Sequence, residues 1–273
     1  YEQGMDSIRR NALGAQPLQP IINKIQNTKP EEMEDLFLLM HREYSSPFIG
    51  AGPMENMANS REYAMYISGA PLGLGDRDYY LAKDKRNREI LEAYKKLIIK
   101  QMRNAGFSAG DAKRICKNVI KYETLLADST WTREQSRDIT RMFNPRTLAQ
   151  VKQLYPNMPW DRFFKETMDI NTPDEFIVTE LNTVLQGSNL YKQLTDREKK
   201  DLYLWQVVRG AAPYLSDAFG DANFEFNKVM SGVGEQRPRW KRSLAATESQ
   251  LGEAIGELYV QRYFPESSKQ YML

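Results

Sequence analysis

One cysteine and one histidine stand in a chain of 273 residues. The lone Cys116 excludes an internal disulfide framework, although it does not fix the compartment, since many extracytoplasmic bacterial proteins also lack disulfides. The lone His41 weighs against a zinc site: catalytic zinc usually takes three protein ligands plus water, and His41 and Cys116 are the sole nitrogen and sulfur candidates. A serine or cysteine triad meets the same shortage, because its nucleophile needs a base. No apolar run approaches the ~20 residues that span a bilayer. Charge of one sign is not in excess either. With 38 Lys and Arg against 36 Asp and Glu, the net charge is +2, which argues against a generic polyanion binder such as a nucleic-acid-binding protein. The opening YEQGMDSIRR has neither an initiator methionine nor a signal-peptide pattern, and reads as a trimmed or partial product.

The rest is ordinary for a globular chain. Apolar residues make up 41% and charged residues 27%, and a chain this long buries roughly 70–75% of its unfolded surface, as one large domain or two closely packed lobes. There is no repeat and no low-complexity block. Helical periodicity dominates. RNREILEAYKKLIIKQMRNAG sets Ile90, Leu91, Tyr94, Leu97, Ile98 and Met102 on one face and stops near Gly106. SAGDAKRICKNVIKYETLLADS starts at Ser108, with Asp111 in near-capping-box spacing, and turns Ile115, Val119, Tyr122 and Leu126 inward. Cys116 on that helix belongs in or beside the core, and His41 after LFLLM reads as a helix-end or surface residue.

Full capping-box spacing marks starts at Thr147 with Gln150 and at Thr195 with Glu198, and Pro213 is expected to kink or split the second helix. A last long helix stripes Trp240, Leu244, Leu251, Ile255, Leu258 and Tyr259 along one face before Pro265. PFIGAG and REYAMYIS flank PMENMANS as two short strands, a hairpin over about 48–68, while EFIVTEL reads equally as a strand or a helix start. The expected fold is mainly α: a multi-helix lobe with one small β-hairpin near the N-terminal third.

The stretch GAPLGLGDRDYYLAKD, residues 69–84, is the most distinctive. Phosphate loops lead glycines from a strand into a helix N-terminus; here Gly73 and Gly75 run into charged and aromatic residues, with no Lys-Ser/Thr to follow. Asp76 and Asp78 fall short of a calcium loop, which needs several more oxygens at alternating positions. A shaped connector accounts for the residues better. The glycines allow tight or left-handed turns, the acids cap the turn or pair with Arg77, and Tyr79 and Tyr80 anchor it on the helical body. RPRWKR, residues 237–242, reads as a solvated helix start, since no second basic block joins it in the sequence.

The same stretch carries a resemblance. LGLGDRDYYL, with Leu72, Gly73, Asp76, Arg77, Asp78, Tyr79 and Tyr80, resembles the Leu-Gly-Leu-Pro-x-Arg-Asp-Tyr-Tyr signature of neprilysin-like zinc metallopeptidases, whose bacterial oligopeptidase members often have Gly where Gly75 stands. Tyr122-Glu123 followed by Leu126-Ala127 resembles the family's next helix, and RMFNPRTLAQVKQLYPNMPW, with Asn144 and Trp160, its following segment. The segment from Trp240 through Gly256, Leu258, Tyr259, Val260 and Phe264 resembles the last. These four matches keep their order along nearly the whole chain. Ser243 replaces the cysteine that animal members place three residues after the tryptophan, and Asn59 and Ser60 alone remain of the family's Asp-Asp-Lys-Asn-Ser hairpin turn.

The resemblance implies a two-lobed parent whose carboxy-terminal lobe holds zinc through H-E-x-x-H and a downstream glutamate, two imidazoles one turn apart with the glutamate activating the metal-bound water. This chain would be its partial amino-terminal, non-catalytic helical lobe, closing over that partner and gating short peptides. No catalytic, cofactor or zinc-binding residue carries over, so zinc is expected only in the full-length parent. An extracytoplasmic location and an exposed apolar docking face follow from the same resemblance. The competing expectation is a stand-alone helical binding module without peptidase activity.

Overall fold

The computed structural model describes residues 1–272, and their elements follow from local signals. Helices α1 (Glu2–Met5), α2 (Ser7–Leu13), α3 (Gln19–Asn27) and α4 (Met33–Glu43) precede the hairpin strands β1 (Ile49–Asn56) and β2 (Asn59–Gly69). After the connector come α5 (Asp78–Leu81), α6 (Lys85–Asn104) and α7 (Ala109–Ser129), then β3 (Pro145–Thr147), α8 (Leu148–Leu154), α9 (Trp160–Met168) and β4 (Glu175–Val178). The chain continues through α10 (Leu181–Gln193), α11 (Asp196–Ala211), α12 (Asp217–Ser231), α13 (Arg239–Tyr263) and α14 (Glu266–Met272). The fold is mainly α.

Several boundaries are set by side-chain caps. Ser108 accepts from the Asp111 amide at the start of α7, and Thr147 with Gln150 and Thr195 with Glu198 close reciprocal capping boxes. Pro213 splits its helix outright: α11 ends at Ala211, a 3-10 turn runs over Ala212–Tyr214, and α12 starts afresh at Asp217. The final long helix is interrupted at Leu251, whose φ of −122° and ψ of 15° are not helical.

The hairpin forms, but it is half of a larger sheet in the order β1-β2-β4-β3. β1 and β2 are antiparallel, with Ile49 opposite Gly69. β2 runs parallel to β4, pairing Tyr66 with Ile177 and Ile67 with Val178, and β3 pairs antiparallel with β4. EFIVTEL is therefore a strand over Glu175–Val178 whose chain turns into α10 two residues on. The three-residue β3 has no periodicity to reveal it; its edge is recruited by pairing with β4.

α6 and α7 pack together at the centre and give Tyr94, Ile98, Met102, Ile115, Val119, Tyr122 and Leu126 to the core. α11 lies across both, α12 covers α6, α10 joins α7 to β2, and α9 packs on α4. Between α7 and α11 sits the buried carboxylate of Asp201. It receives Arg114 through Nε at 3.1 Å and Nη2 at 3.2 Å, and the Asn118 amide at 2.8 Å. Removing one partner of such a buried set strands the others. Asp201→Ala is expected to cost about 2–4 kcal/mol in urea unfolding, below the full buried-pair loss because Arg114 keeps some water. Lys165→Ala, which breaks the exposed pair with Asp169, should leave the urea midpoint close to that of the unmutated chain.

Candidate functional site

The connector after β2 must pass over α6 and α7, and its sequence solves that by combining small residues with hydroxyl-bearing rings. Leu72 and Leu74 are buried on either side of Gly73. A Cβ on Gly73 would lie 2.0 Å from the Tyr94 hydroxyl and 2.6 Å from Glu123 Oε1, so glycine is required there for close approach, not for turning. Gly75, at φ 78°, supplies the left-handed turn, closed by its amide on the Leu72 carbonyl at 3.0 Å.

Beneath Gly73 lies Glu123, fully inside the protein. The Tyr80 hydroxyl donates to its Oε2 at 2.7 Å and accepts the Leu74 amide at 2.9 Å. The Tyr94 hydroxyl donates to Oε1 at 3.2 Å and accepts the Trp205 indole N–H at 3.1 Å. The Gly73 amide also reaches the carboxylate, and Arg209 adds its charge from α11 while donating to the Gly73 carbonyl at 2.9 Å. Burial pushes the Glu123 carboxyl up to about 7 against the combined pull of Tyr80, Arg209, Tyr94 and the Gly73 amide. Burial, then the Glu123 charge, raises both tyrosine hydroxyls, so they remain donors.

The rim of the connector departs from one sequence expectation. Asp76 does cap the turn, accepting the Asp78 amide at 2.8 Å, but its ion pair is with Arg133 rather than Arg77. Burial works to raise the Asp76 carboxyl, and the Asp78 amide and Arg133 outweigh it. Arg77 instead donates to the Thr130 carbonyl at 2.6 Å, tying the connector to the end of α7. Tyr79 packs against the core from the half-buried rim. Tyr122, one residue before Glu123, donates to the Pro47 carbonyl and meets Phe48 edge-on, which fixes the entry to β1 on the same helix.

Nine signature positions thus converge on α5, α6 and α7; the other seven do not join them. Asn144 holds the end of β4, donating to the carbonyls of Val178 at 2.9 Å and Thr179 at 3.2 Å. Trp160 is buried with Phe163 and Phe164 and donates to the Tyr155 carbonyl at 2.9 Å. Trp240, Gly256, Leu258 and Tyr259 are exposed on α13, and Phe264 is half-buried at its end. Tyr94, Trp205 and Arg209 were not singled out for this site from sequence. The usable signal was a glutamate on the inward face of α7, since a buried carboxylate needs donors and buried Tyr and Trp bring them.

The donor set does not fit zinc. Among the described residues no three His, Cys, Asp or Glu side chains cluster to hold a metal ion. His41 lies in the last turn of α4, as expected of a helix-end residue, and is half-buried: its ring lies 4.4 Å from Phe163, and burial lowers it to about 4, leaving it neutral. Cys116, on α7, is buried, its thiol pushed up to about 11 mainly by that burial. Around Glu123, then, hydroxyl, amide and indole donors tie the connector to the helical body.

The amino-terminal model of peptidase family M13 matches residues 1–273. The chain belongs to peptidase family M13. Among curated relatives, endothelin-converting enzyme 1 of Mus musculus is 28% identical over 281 residues, covering 98% of this chain and 36% of the relative. Neprilysin-11 of Caenorhabditis elegans is 29% identical over 225 residues, covering 77% of this chain and 26% of the relative. The open-state structure of Mycobacterium tuberculosis zinc metalloprotease ZMP1 superposes with a TM-score of 0.88 at 25% identity, covering 99% of this chain and 42% of that one. PepO of Lactobacillus rhamnosis HN001, at 19% identity and a TM-score of 0.79 over 99% of this chain and 43% of that one, shares the fold. The M13 chain described here spans about a third of the length of the curated relatives it matches.

Glu123 and His41 impose opposite pH dependence. A carboxyl held above its unfolded value near 4.5 binds its proton more tightly when folded, so its contribution is complete below about pH 4.5 and lost as pH rises through about 7. An imidazole held at about 4 contributes above its unfolded value near 6.5 and loses that as pH falls through about 4. Each is worth on the order of 3 kcal/mol. Urea midpoints of the native chain should change little between about pH 4.5 and 6.5 on account of these two groups. Glu123→Gln should unmask stability that rises with pH there, and His41→Gln stability that falls.

Proposed function

We propose that this chain is the non-catalytic helical lobe of an M13 zinc endopeptidase, closing over a catalytic lobe and limiting entry to short peptides. The observation that carries the reading is α13. Leu251, Leu258, Tyr259 and Tyr263 are each more than half exposed, and Trp240, Leu244, Ile255 and Val260 are exposed beside them. Solvent-facing apolar side chains repeated along one helix are expected of a docking face. The composition agrees: the chain carries no H-E-x-x-H, and its one histidine is packed against phenylalanine. In this reading zinc and the general base lie on other polypeptide, and the substrates are peptides small enough to enter the space between lobes. No helix among the described residues is long and apolar enough to cross a membrane, and an extracytoplasmic location enters as part of the family reading.

The test separates the lobe from its enzyme. Produced alone, the chain should bind no stoichiometric zinc by elemental analysis and release no product from a quenched fluorescent peptide. A longer protein carrying both lobes should hold one zinc and cleave. Within that protein, Leu258→Glu with Tyr259→Glu should lower kcat/KM by about tenfold or more, a loss of at least ~1.4 kcal/mol, with zinc content unchanged. Chelator-sensitive hydrolysis by the purified chain alone would overturn the proposal. Unchanged kcat/KM in the double variant would favour a binding module whose α13 face serves another partner.

A further inference from the structure

The basic run at 237–242 is not isolated in the fold. α1 packs on α13 and α2 on α12, which brings Arg9 and Arg10 of α2 into the same half-open cavity, about 1120 Å³, as the first turn of α13. Arg9, Arg10, Arg237, Arg239, Lys241 and Arg242 line it, against the acids Asp6 and Glu235. The sequence reading of a solvated helix start without a second basic block is corrected on this point: the second block comes from more than 200 positions earlier and is joined by folding.

Most of this charge has no carboxylate partner among the described contacts. Arg10 donates to neutral carbonyls, those of Gly4 at 3.0 Å, Pro213 at 3.0 Å and Leu215 at 3.1 Å. Arg242 donates through Nε to the Arg237 carbonyl at 3.1 Å. Arg239 alone of the six is ion-paired, with Asp217. Burial lowers the Arg10 guanidinium, and the charges of Arg239 and Arg242 add to that against Asp217, so the basic groups feel one another. Same-sign charges in a concave wall concentrate the potential there, and guanidinium groups offer paired donors that match a carboxylate. Leu13, Phe224 and Val233 supply apolar surface between them.

We infer that this cavity is a binding site for an acidic peptide segment, its glutamate or aspartate side chains meeting Arg9, Arg237 and Arg242 and its apolar side chains meeting Phe224 and Val233. The space exceeds the ~300–1,000 Å³ of a small-molecule pocket and suits a few residues of extended chain. A nucleic acid fits less well. The net charge is only +2, Asp6 and Glu235 interrupt the basic lining, and the Trp240 face that could stack a base is occupied by Lys241, its Nζ 5.3 Å from the ring centroid. The site goes beyond the proposed lobe function and does not depend on it.

The test reads binding in the longest available form of the protein, with chelator present so that hydrolysis does not intrude. A fluorescein-labelled peptide alternating leucine and paired glutamates is titrated by anisotropy beside its glutamine isostere. Saturable binding of the acidic peptide is expected, at least about tenfold tighter than the isostere and weakening as salt rises from about 0.05 to 0.3 M. The double substitution Arg237→Glu with Arg242→Glu should weaken it by at least about tenfold, and Arg237→Lys with Arg242→Lys, which keeps the charge but loses the paired donors, should weaken it by less. On unmutated protein, phenylglyoxal modification of Arg237 and Arg242, read by mass spectrometry, should slow when the peptide is present. Equal binding of the two peptides, unaltered arginine modification, or tighter binding of a single-stranded oligonucleotide would each overturn the inference. Zinc content and peptidase activity report separately on the lobe assignment, so the two can fail independently.

Discussion

A buried carboxylate sits where three helices meet, held by donors from α6 and the connector that α11 supports from behind. Glu123 belongs to α7, Tyr94 to α6, and Arg209 and Trp205 to α11, while Tyr80 and the Gly73 amide come from the connector. Burying such a group costs several kcal/mol unless it is hydrogen-bonded, and here both oxygens have partners. The consequence is geometric. A chain segment leaving the sheet is held against the helical body by polar contacts of fixed direction, where apolar packing alone would leave it free to slide. Gly73 is the condition for this, since any side chain there would occupy the space of the Tyr94 hydroxyl.

From that joint the rest of the lobe is positioned. Tyr122, beside Glu123, fixes the chain entering β1, so α7 controls both the entrance to the hairpin and its exit. The parallel pairing of β2 with β4 then brings in Asn144 and the aromatic group around Trp160. α13 is the exception. Its apolar residues are not drawn into this core, and its first turn contributes charge to a cavity shared with α2 and α12. One end of the molecule closes around the Glu123 joint; the other presents apolar and basic groups outward.

Much of this was legible because the signals are local. The capping pairs at Thr147 and Thr195, the break at Pro213 and the inward stripe of α6 depend on neighbours within a turn or two, and the fold keeps them. What stayed hidden depends on distant residues. β3 is too short to have a period and exists through its pairing with β4. Arg133, not the adjacent Arg77, pairs with Asp76 because the turn after α7 returns to the connector. Arg9 and Arg10 meet the 237–242 run only after both termini of the helical body are brought together. Of the family-signature positions, their order along the chain was readable, but not their division between a buried lock and an exposed helix.

The Gly-rich connector is locked onto the helical body, and amide hydrogen exchange at Gly73 and Leu74 tests this most directly. If the Glu123 network holds as described, these amides exchange only through global unfolding, with protection matching that of the α7 core and falling with it as urea is added. Exchange on the timescale of an open loop, independent of urea while α7 stays protected, would contradict the account.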